Sequence, residues 1–170
     1  MSTSQKDAPG LRLAVEIKPV NLAVGRAIWN RFGDIRAFAV NIHLKFPFAV
    51  VGGILAIPTW EWPHNHSAEP LAPEDLDSDE DLGDLEPAET SDTTDKISTT
   101  SIVKRLVRRL QRTRRRETEA DAPHLLEAVA VIVYNPDTGT LDPNLPPPGH
   151  GLRWDEFCDT LAETYDSRFE

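Results

Sequence analysis

The sequence contains one cysteine, Cys158, among its 170 residues. A single cysteine can form neither a disulfide framework nor a cysteine-based zinc site. A domain held together by disulfides or by cysteine-bound zinc is therefore excluded. Long hydrophobic runs are missing too, because the longest, residues 46–58, has thirteen residues and includes two prolines. A membrane-spanning helix needs roughly 20 apolar residues, so we expect no membrane partner.

Motifs of two common enzyme classes are also absent. The chain has no glycine-rich phosphate-binding loop and no Gly-x-Ser-x-Gly nucleophile elbow. Their absence argues against P-loop nucleotide hydrolysis and against serine-hydrolase chemistry. The first ten residues are polar and lack the apolar core that a signal peptide requires. We therefore expect a soluble, cytoplasmic protein.

Positive charge is scarce and unevenly distributed. The chain carries 18 Lys and Arg against 28 Asp and Glu, which gives a net charge of −10. Twelve acidic and no basic residues lie between Glu69 and Asp95, whereas eight basic and no acidic residues lie between Lys104 and Arg116. The acidic balance argues against a general polyanion-coating protein, but a local basic patch can still contact DNA.

Three apolar segments have the length and the bounds of core strands. They are Leu11–Lys18, which Pro19 ends, Phe48–Ile57, which lies between two prolines, and Leu125–Tyr134. The last is almost continuously apolar, which is typical of a central strand with both faces buried. The Gly52-Gly53 pair inside the second segment marks either a weak point or a site of close packing.

Helical periodicity separates these strands. Asn21 to about Arg31 has an apolar side, and Gly33 interrupts the pattern before residues 34–45, which fit a strand and a helix equally well. Trp154–Phe169 closes the chain as a helix whose predicted buried side consists of Trp154, Phe157, Leu161 and Tyr165. Strands that alternate with helices predict an α/β fold.

The basic segment lies on a predicted helix over residues 98–119. Its apolar stripe is formed by Ile102, Val103, Leu106, Val107 and Leu110, and the basic side chains fill the other face. Three interpretations remain open: a docked helix whose arginines face solvent or the acidic tract, a helix whose arginines contact DNA phosphates, and a helix on a membrane surface. The membrane interpretation is the weakest of the three because the apolar stripe lacks Trp and Phe.

The acidic tract has no aromatic residues and too few apolar ones to form a core. We therefore expect residues 67–97 to be a disordered insertion and residues 1–10 to be a disordered N-terminus. The folded core would then comprise residues 11–66 as its first part and residues 98–170, with the basic helix, as the rest.

The strand Leu11–Lys18 ends in a carboxylate and an amine two residues apart. Residues i and i+2 of a strand point the same way, so Glu16 and Lys18 share one face while Val15 and Ile17 are expected to enter the core. Such a pair can hold a divalent cation and a nucleophilic water, as metal-assisted phosphodiester hydrolysis requires. Taken alone, the same pattern more often marks a solvated surface pair.

The residues that follow give this pair a context. Glu16-Ile17-Lys18 leads into Asn21, Arg26, Asn30-Arg31 and Asp34, then into His43-Leu-Lys-Phe46-Pro47 and the apolar run 49–58. This order resembles the restriction-endonuclease-like proteins of the PD-(D/E)xK nuclease superfamily, over about residues 11–60. A weaker similarity lies in residues 151–157 and 165–169. The resemblance implies a mixed sheet flanked by helices and favours a helix for residues 34–45.

The resemblance also implies roles for individual residues. Glu16 and the main-chain carbonyl of Ile17 would be Mg²⁺ ligands, and Lys18 would orient or activate the attacking water. DNA phosphate would be contacted by Asn21, Arg26 and Arg31 and, on the basic helix, by Arg105, Arg108, Arg109 and Arg112. Arg31 and Asp34 can instead form only a local pair three residues apart.

The chain departs from the family at the second acid, which the family carries on a strand before the Glu-x-Lys strand. Asp7 is the only acid upstream of Glu16, and it precedes Gly10 in a predicted turn. We therefore expect a core that is incomplete at the N-terminus, through truncation or degeneration, and weak or absent cleavage by this polypeptide alone. The function implied is Mg²⁺-dependent DNA cleavage. The alternative is a non-catalytic DNA- or protein-interaction module, and a homodimer is left open.

Overall fold

The computed structural model describes residues 10–63 and 96–170. Along the chain the elements are β1 (Leu13–Pro19), α1 (Val24–Lys45), β2 (Val50–Pro58), β3 (Trp60–Glu61), β4 (Ile97–Ser98), α2 (Thr100–Gln111), β5 (Ala128–Tyr134) and α3 (Trp154–Phe169). The predicted α/β class is confirmed. The restriction-endonuclease-like core stays a prediction.

The principal sheet has three parallel strands in the order β1–β2–β5. Parallel neighbours need a crossover, and α1 supplies it between β1 and β2, while α2 lies within the connection from β2 to β5. The sheet was predicted to be mixed, whereas its three described strands all run the same way. Antiparallel pairing occurs between β3 and β4.

Helices cover both faces of the sheet, but not evenly. One face carries α1 and α2, whose apolar residues form one buried cluster with Val51, Leu55 and Val131 of the sheet. The other face carries α3, which packs on β2 and β5 through Phe157 and Leu161. The central strand β2 is therefore enclosed on both sides, and β1, at the edge, is covered on the α1 side.

The adjacent glycines of β2 let both helical layers approach the sheet closely. A Cβ on Gly52 would lie 2.6 Å from Cζ of Phe157 in α3. A Cβ on Gly53, which points to the opposite face, would overlap Cγ2 of Ile35 in α1. The pair is thus a close-packing site and not a weak point, because side chains from two helices occupy the space that larger residues would need.

Two predicted helix limits were wrong. The helix α1 runs without a break through Gly33, because Phe32 and Ile35 on either side of it are buried and hold this turn against the core. The helix α2 ends at Gln111 instead of continuing to residue 119. Beyond it, the Asp121 carboxylate accepts hydrogen bonds from the main-chain N–H groups of residues 117 and 118, which fixes a turn where a helix was predicted.

Two predictions of buried side chains were also wrong. Val15 and Ile17 were expected in the core, but they are 39% and 59% exposed, because the side of β1 they occupy extends beyond α3. Trp154 at the start of α3 is 52% exposed and stacks on Phe157, which is the buried member of the pair.

Most of the predicted disordered segments lies outside the described residues. Gly10 is the one described residue of the predicted N-terminal segment, and Lys96 and Ile97 are the described residues of the predicted insertion 67–97. Ile97 already belongs to β4, where it pairs with Glu61. Ile97, which was predicted to belong to the insertion, is therefore part of a strand.

The glycine contacts predict opposite effects for two alanine substitutions. Gly53→Ala should lower the free energy of unfolding by about 1–3 kcal/mol, because the added methyl group displaces Ile35. Gly33→Ala should raise it by about 0.5–1 kcal/mol, because a Cβ there meets nothing within 4 Å and alanine is the better helix former. Urea unfolding of both variants checks this, and equal effects would contradict the packing described.

Candidate functional site

Glu16 and Lys18 lie together on β1 as an ion pair. The distance from Lys18 Nζ to Glu16 Oε1 is 2.6 Å, and about a quarter of each side chain is exposed. Glu16 is in register with Gly53 and Lys18 with Leu55, so both side chains point to the face that α1 and α2 cover. The prediction that the two share one face is confirmed.

The main-chain groups of β1 divide between its neighbour and an open edge. The carbonyl of Arg12 accepts from Val50 N–H, and Val20 N–H donates to the Ala56 carbonyl. The N–H and C=O groups of successive residues in a strand point to opposite sides. The main-chain groups of the even-numbered residues therefore bond to β2, and those of the odd-numbered residues point away from it. The carbonyl of Ile17, predicted as a metal ligand, therefore points to the open edge of the sheet.

The connection from β1 into α1 places further polar groups at the carboxyl end of the strand. Ala23 adopts the left-handed conformation, with φ of 49°, immediately before the helix begins. The N–H of Val24 in the first turn donates to Oε2 of Glu61 at 2.9 Å. A carboxylate at a helix N-terminus is stabilised by the helix dipole, so Glu61 fills the position where an anionic ligand could otherwise bind.

The donors for a divalent cation are few. Among the described residues, no group of three or more His, Cys, Asp or Glu side chains is placed to hold a metal ion. Glu16 with the Ile17 carbonyl offers two oxygen donors. Mg²⁺ often takes one or two carboxylates and completes its shell with water and substrate phosphate. The two donors are thus of the right chemical class and near the lower limit in number.

The basic residues of α2 form an exposed surface on the same layer of the fold. Four of the five residues of its predicted apolar stripe are buried, and Ile102 is half-buried. Its outer face carries Lys104, Arg105, Arg108 and Arg109, and Arg112 follows its last residue. The guanidinium of Arg109 lies over the Trp29 ring of α1, with its carbon 4.4 Å from the centroid. This contact fixes α2 beside α1 and brings the two predicted groups of DNA-binding residues onto one helical layer.

The predicted residues near the start of α1 have different surroundings. Asn21 and Arg26 are exposed, and Ile102 of α2 packs beside Gly25, which places Arg26 next to the basic helix. Arg31 donates to Asp34 at 3.1 Å in an exposed pair three residues apart. Arg31 is therefore engaged locally, as the second interpretation of the sequence expected.

A buried polar cluster, made of Glu127, His43, Arg116 and Arg168, was not predicted from the sequence. The Glu127 carboxylate is completely buried just before β5. It accepts hydrogen bonds from Arg168 at 2.8 Å, from Arg116 at 3.2 Å and from the N–H of Val51 at 2.9 Å. The Nε2 atom of His43 lies 3.4 Å from its second oxygen. Four partners thus surround one carboxylate.

The imidazole and the two guanidinium groups of the cluster also contact main-chain carbonyls of other segments. His43 Nδ1 lies 2.8 Å from the carbonyl of Pro123. The two guanidinium groups donate to the carbonyls of Pro47 and Glu119 (from Arg116) and of Phe48 and Ala49 (from Arg168). The cluster therefore joins the end of α1, the loop before β2, the chain after α2, and α3.

The surroundings of Glu127 determine its ionisation. Burial raises the pKa of its carboxyl group, but the nearby His43 ring and the hydrogen bonds from Arg168 and the Val51 N–H outweigh burial and lower the pKa. A sequence signal for this residue existed, because Glu127 is a charged residue inside an apolar strand segment and therefore needs a buried counter-charge. Arg116 was instead expected on the exposed basic face, because the helix was predicted to continue past it.

Comparison with protein-family models, with curated proteins and with solved structures finds no match for this chain. The sequence was expected to contain no membrane-spanning helix. None of the helices in residues 10–63 and 96–170 combines the length and the apolar character needed to cross a bilayer.

The lowered pKa of Glu127 predicts acid-sensitive stability. Above the unfolded-state pKa of about 4.5 the ionised carboxylate contributes its full stabilisation, which is lost as the pH falls through the lower pKa of the folded state. Glu127→Gln should reduce the free energy of unfolding by about 3–5 kcal/mol at neutral pH, since it leaves two buried guanidinium groups without a counter-charge. It should also flatten the acid limb of the stability profile.

Urea unfolding between about pH 3 and pH 7, a range that extends from below to well above the ordinary carboxyl pKa of roughly 4 to 4.5, measures both effects. Glu163→Gln, at an exposed position of α3, is the matched control and should change stability by no more than about 0.5 kcal/mol. Equal stability of the two variants at neutral pH would contradict the role assigned to the buried cluster.

Proposed function

We propose that the chain is a DNA-binding domain of the restriction-endonuclease-like kind, and that Glu16 and Lys18 belong to a Mg²⁺-dependent phosphodiesterase site. The single observation that carries this proposal is the placement of the pair. Glu16 and Lys18 share the face of the edge strand that points to the α1–α2 layer, and the exposed arginines lie on that same layer.

The basic surface supplies the phosphate-binding part of the proposal. Arg105 and Arg108 are exposed on α2 and Arg112 just beyond its end, and Arg26 is exposed at the start of α1, next to Gly25, beside which Ile102 of α2 packs. Arginines along one helix face neutralise successive phosphates, and this contribution to binding weakens as salt rises. The overall charge of −10 does not prevent it, because the eight basic residues between Lys104 and Arg116 include no acid.

The chemistry would be divided between the two side chains of the pair. A bound Mg²⁺ would stabilise the charge that develops on the phosphate oxygens and would acidify a water molecule. Glu16 and the Ile17 carbonyl are the groups that would hold it, and the carbonyl points to the open edge, away from β2. Lys18 Nζ, 2.6 Å from Glu16, would hold and orient the attacking water through its N–H donors.

A second candidate function has its own observation in support. Glu16 is already neutralised by Lys18, and among the described residues no second acid or histidine group completes a metal site with it. In this second function the pair is an ordinary surface ion pair, and the chain is a non-catalytic module that contacts DNA through its basic surface. The two functions differ in whether a phenotype depends on Mg²⁺.

Nicking of supercoiled plasmid DNA by the full chain separates these functions, because a single cut per molecule is detected even when turnover is weak. Lys18→Ala should lower Mg²⁺-dependent nicking by about 10²-fold or more, because the attacking water loses the group that orients it. Its DNA affinity should remain that of the parent chain. Nicking by Lys18→Ala at the parent rate would contradict the catalytic assignment.

The binding half of the experiment has a matched pair of variants. Arg105→Gln with Arg108→Gln should reduce the slope of log affinity against log salt by about 0.9 for each phosphate contact removed. Arg36→Gln with Lys45→Gln removes the same charge from exposed positions in the second half of α1 and should leave the slope unchanged. If DNA binding is salt-dependent but neither the parent chain nor any variant shows Mg²⁺-dependent nicking, the chain is a non-catalytic interaction module.

A further inference from the structure

The edge strand β1 offers main-chain hydrogen-bonding groups that face away from its neighbour in the sheet, together with apolar side chains that are partly exposed. Its odd-numbered residues direct their N–H and C=O groups away from β2. Their side chains, Leu13, Val15 and Ile17, are 44%, 39% and 59% exposed on the face where α3 covers β2 and β5. An open edge with this pattern is a template for pairing with another strand.

The opposite edge of the sheet is closed by the chain itself. Along β5, Asp142 N–H donates to the Val133 carbonyl, and Val131 N–H donates to the Leu152 carbonyl. Tyr134 forms a β-bridge with Leu141. Within the described part of the chain, β1 is therefore the edge of the principal sheet that is left to pair, and pairing there would give a closed assembly and not a fibre.

The charges of β1 are complementary to a second copy of the same strand. In an antiparallel pair with a two-fold axis at Ile17, Glu16 of one copy stands opposite Lys18 of the other, and Lys18 opposite Glu16. These are directly opposed positions, about 4.5–5.5 Å apart between Cβ atoms, where opposite charges stabilise the pairing. Registers centred on neighbouring residues lose this match, since an axis at Glu16 brings the two carboxylates together.

We propose that two copies of this chain dimerise through antiparallel pairing of their β1 strands, with Ile17 on the two-fold axis. Each Glu16–Lys18 ion pair then becomes half of a four-charge cluster. The N–H and C=O groups of Ile17 bond to those of Ile17 in the second copy. Pro19, which has no N–H, ends the pairing on each side.

The dimer would contain one six-stranded sheet. A two-fold axis normal to the sheet keeps corresponding faces on the same side, so both α1–α2 layers, with their exposed arginines, lie on one side of the sheet. The odd-numbered side chains of the two β1 strands meet on the other side. The inference goes beyond the proposed function, because it rests on the geometry and charge of β1 and not on DNA hydrolysis. Dimerisation and Mg²⁺ binding are alternatives at this strand, since the dimer engages Glu16 and the Ile17 carbonyl, the two groups proposed to hold the metal.

Charge reversal tests the register. In Glu16→Lys, both charged positions of β1 carry cations, so its homodimer opposes like charges; in Lys18→Glu, both carry anions. Each variant alone should dimerise about 10-fold or more weakly than the parent chain. An equimolar mixture of the two should dimerise like the parent, because every opposed pair again has opposite signs. Sedimentation equilibrium over a concentration series measures all three.

The double reversal, Glu16→Lys with Lys18→Glu, guards against effects on folding. It keeps an ion pair within each copy and should form homodimers of parental affinity, but it should not exchange subunits with the parent chain. Reversal of the exposed α1 pair, Arg31→Glu with Asp34→Arg, is the matched control and should leave the mass unchanged.

Three results would overturn the proposal. The first is a parent chain that stays monomeric at every concentration. The second is parental dimerisation of both single-reversal variants. The third is a mixture of the two that dimerises no better than its components. Loss of Mg²⁺-dependent nicking in these variants has no bearing on the dimer, which is read from mass alone.

Discussion

The buried carboxylate of Glu127 is the constraint on which the rest of the structure depends. Two guanidinium groups, a main-chain N–H and an imidazole surround it, and none of these partners is close to it in sequence. An ionised group without such partners would be very costly to bury. Because its partners come from α1, β2, the chain after α2 and α3, satisfying this one charge fixes the relative positions of both helical layers at the amino ends of β2 and β5.

The arrangement fixed at that end has consequences at the opposite end of the sheet. With α3 held over β2 and β5, the edge strand β1 keeps one face covered by α1 and the other open. Glu16 and Lys18 lie on the covered side, next to the layer that carries the exposed arginines, while Leu13, Val15 and Ile17 face outward. The same strand therefore carries both the candidate DNA-cleavage pair and the surface proposed for a second copy.

Local patterns predicted the parts of this structure that depend on neighbours in sequence. Alternation placed Glu16 and Lys18 on one face, and helical periodicity gave the apolar stripe of α2 and the bounds of α3. The same alternation could not show which face of β1 is covered, because that depends on where α3 packs. Arg116 was misassigned because a turn held by Asp121 replaces the predicted last turns of the helix. The cluster around Glu127 was missed because its partners lie between 11 and 84 residues from Glu127 along the chain. The one local sign in the sequence was a charged residue within an apolar strand segment.

Backbone amide hydrogen exchange in β1, followed by NMR in dilute solution, tests most directly that this strand lies at the open edge with its charged pair toward the helical layer. The amides of Glu16 and Lys18 point to β2 and should exchange slowly, whereas those of Leu13, Val15 and Ile17 point to the open edge and should exchange rapidly. The reverse alternation, or equally strong protection of all five amides at the lowest concentration, would contradict the placement of β1.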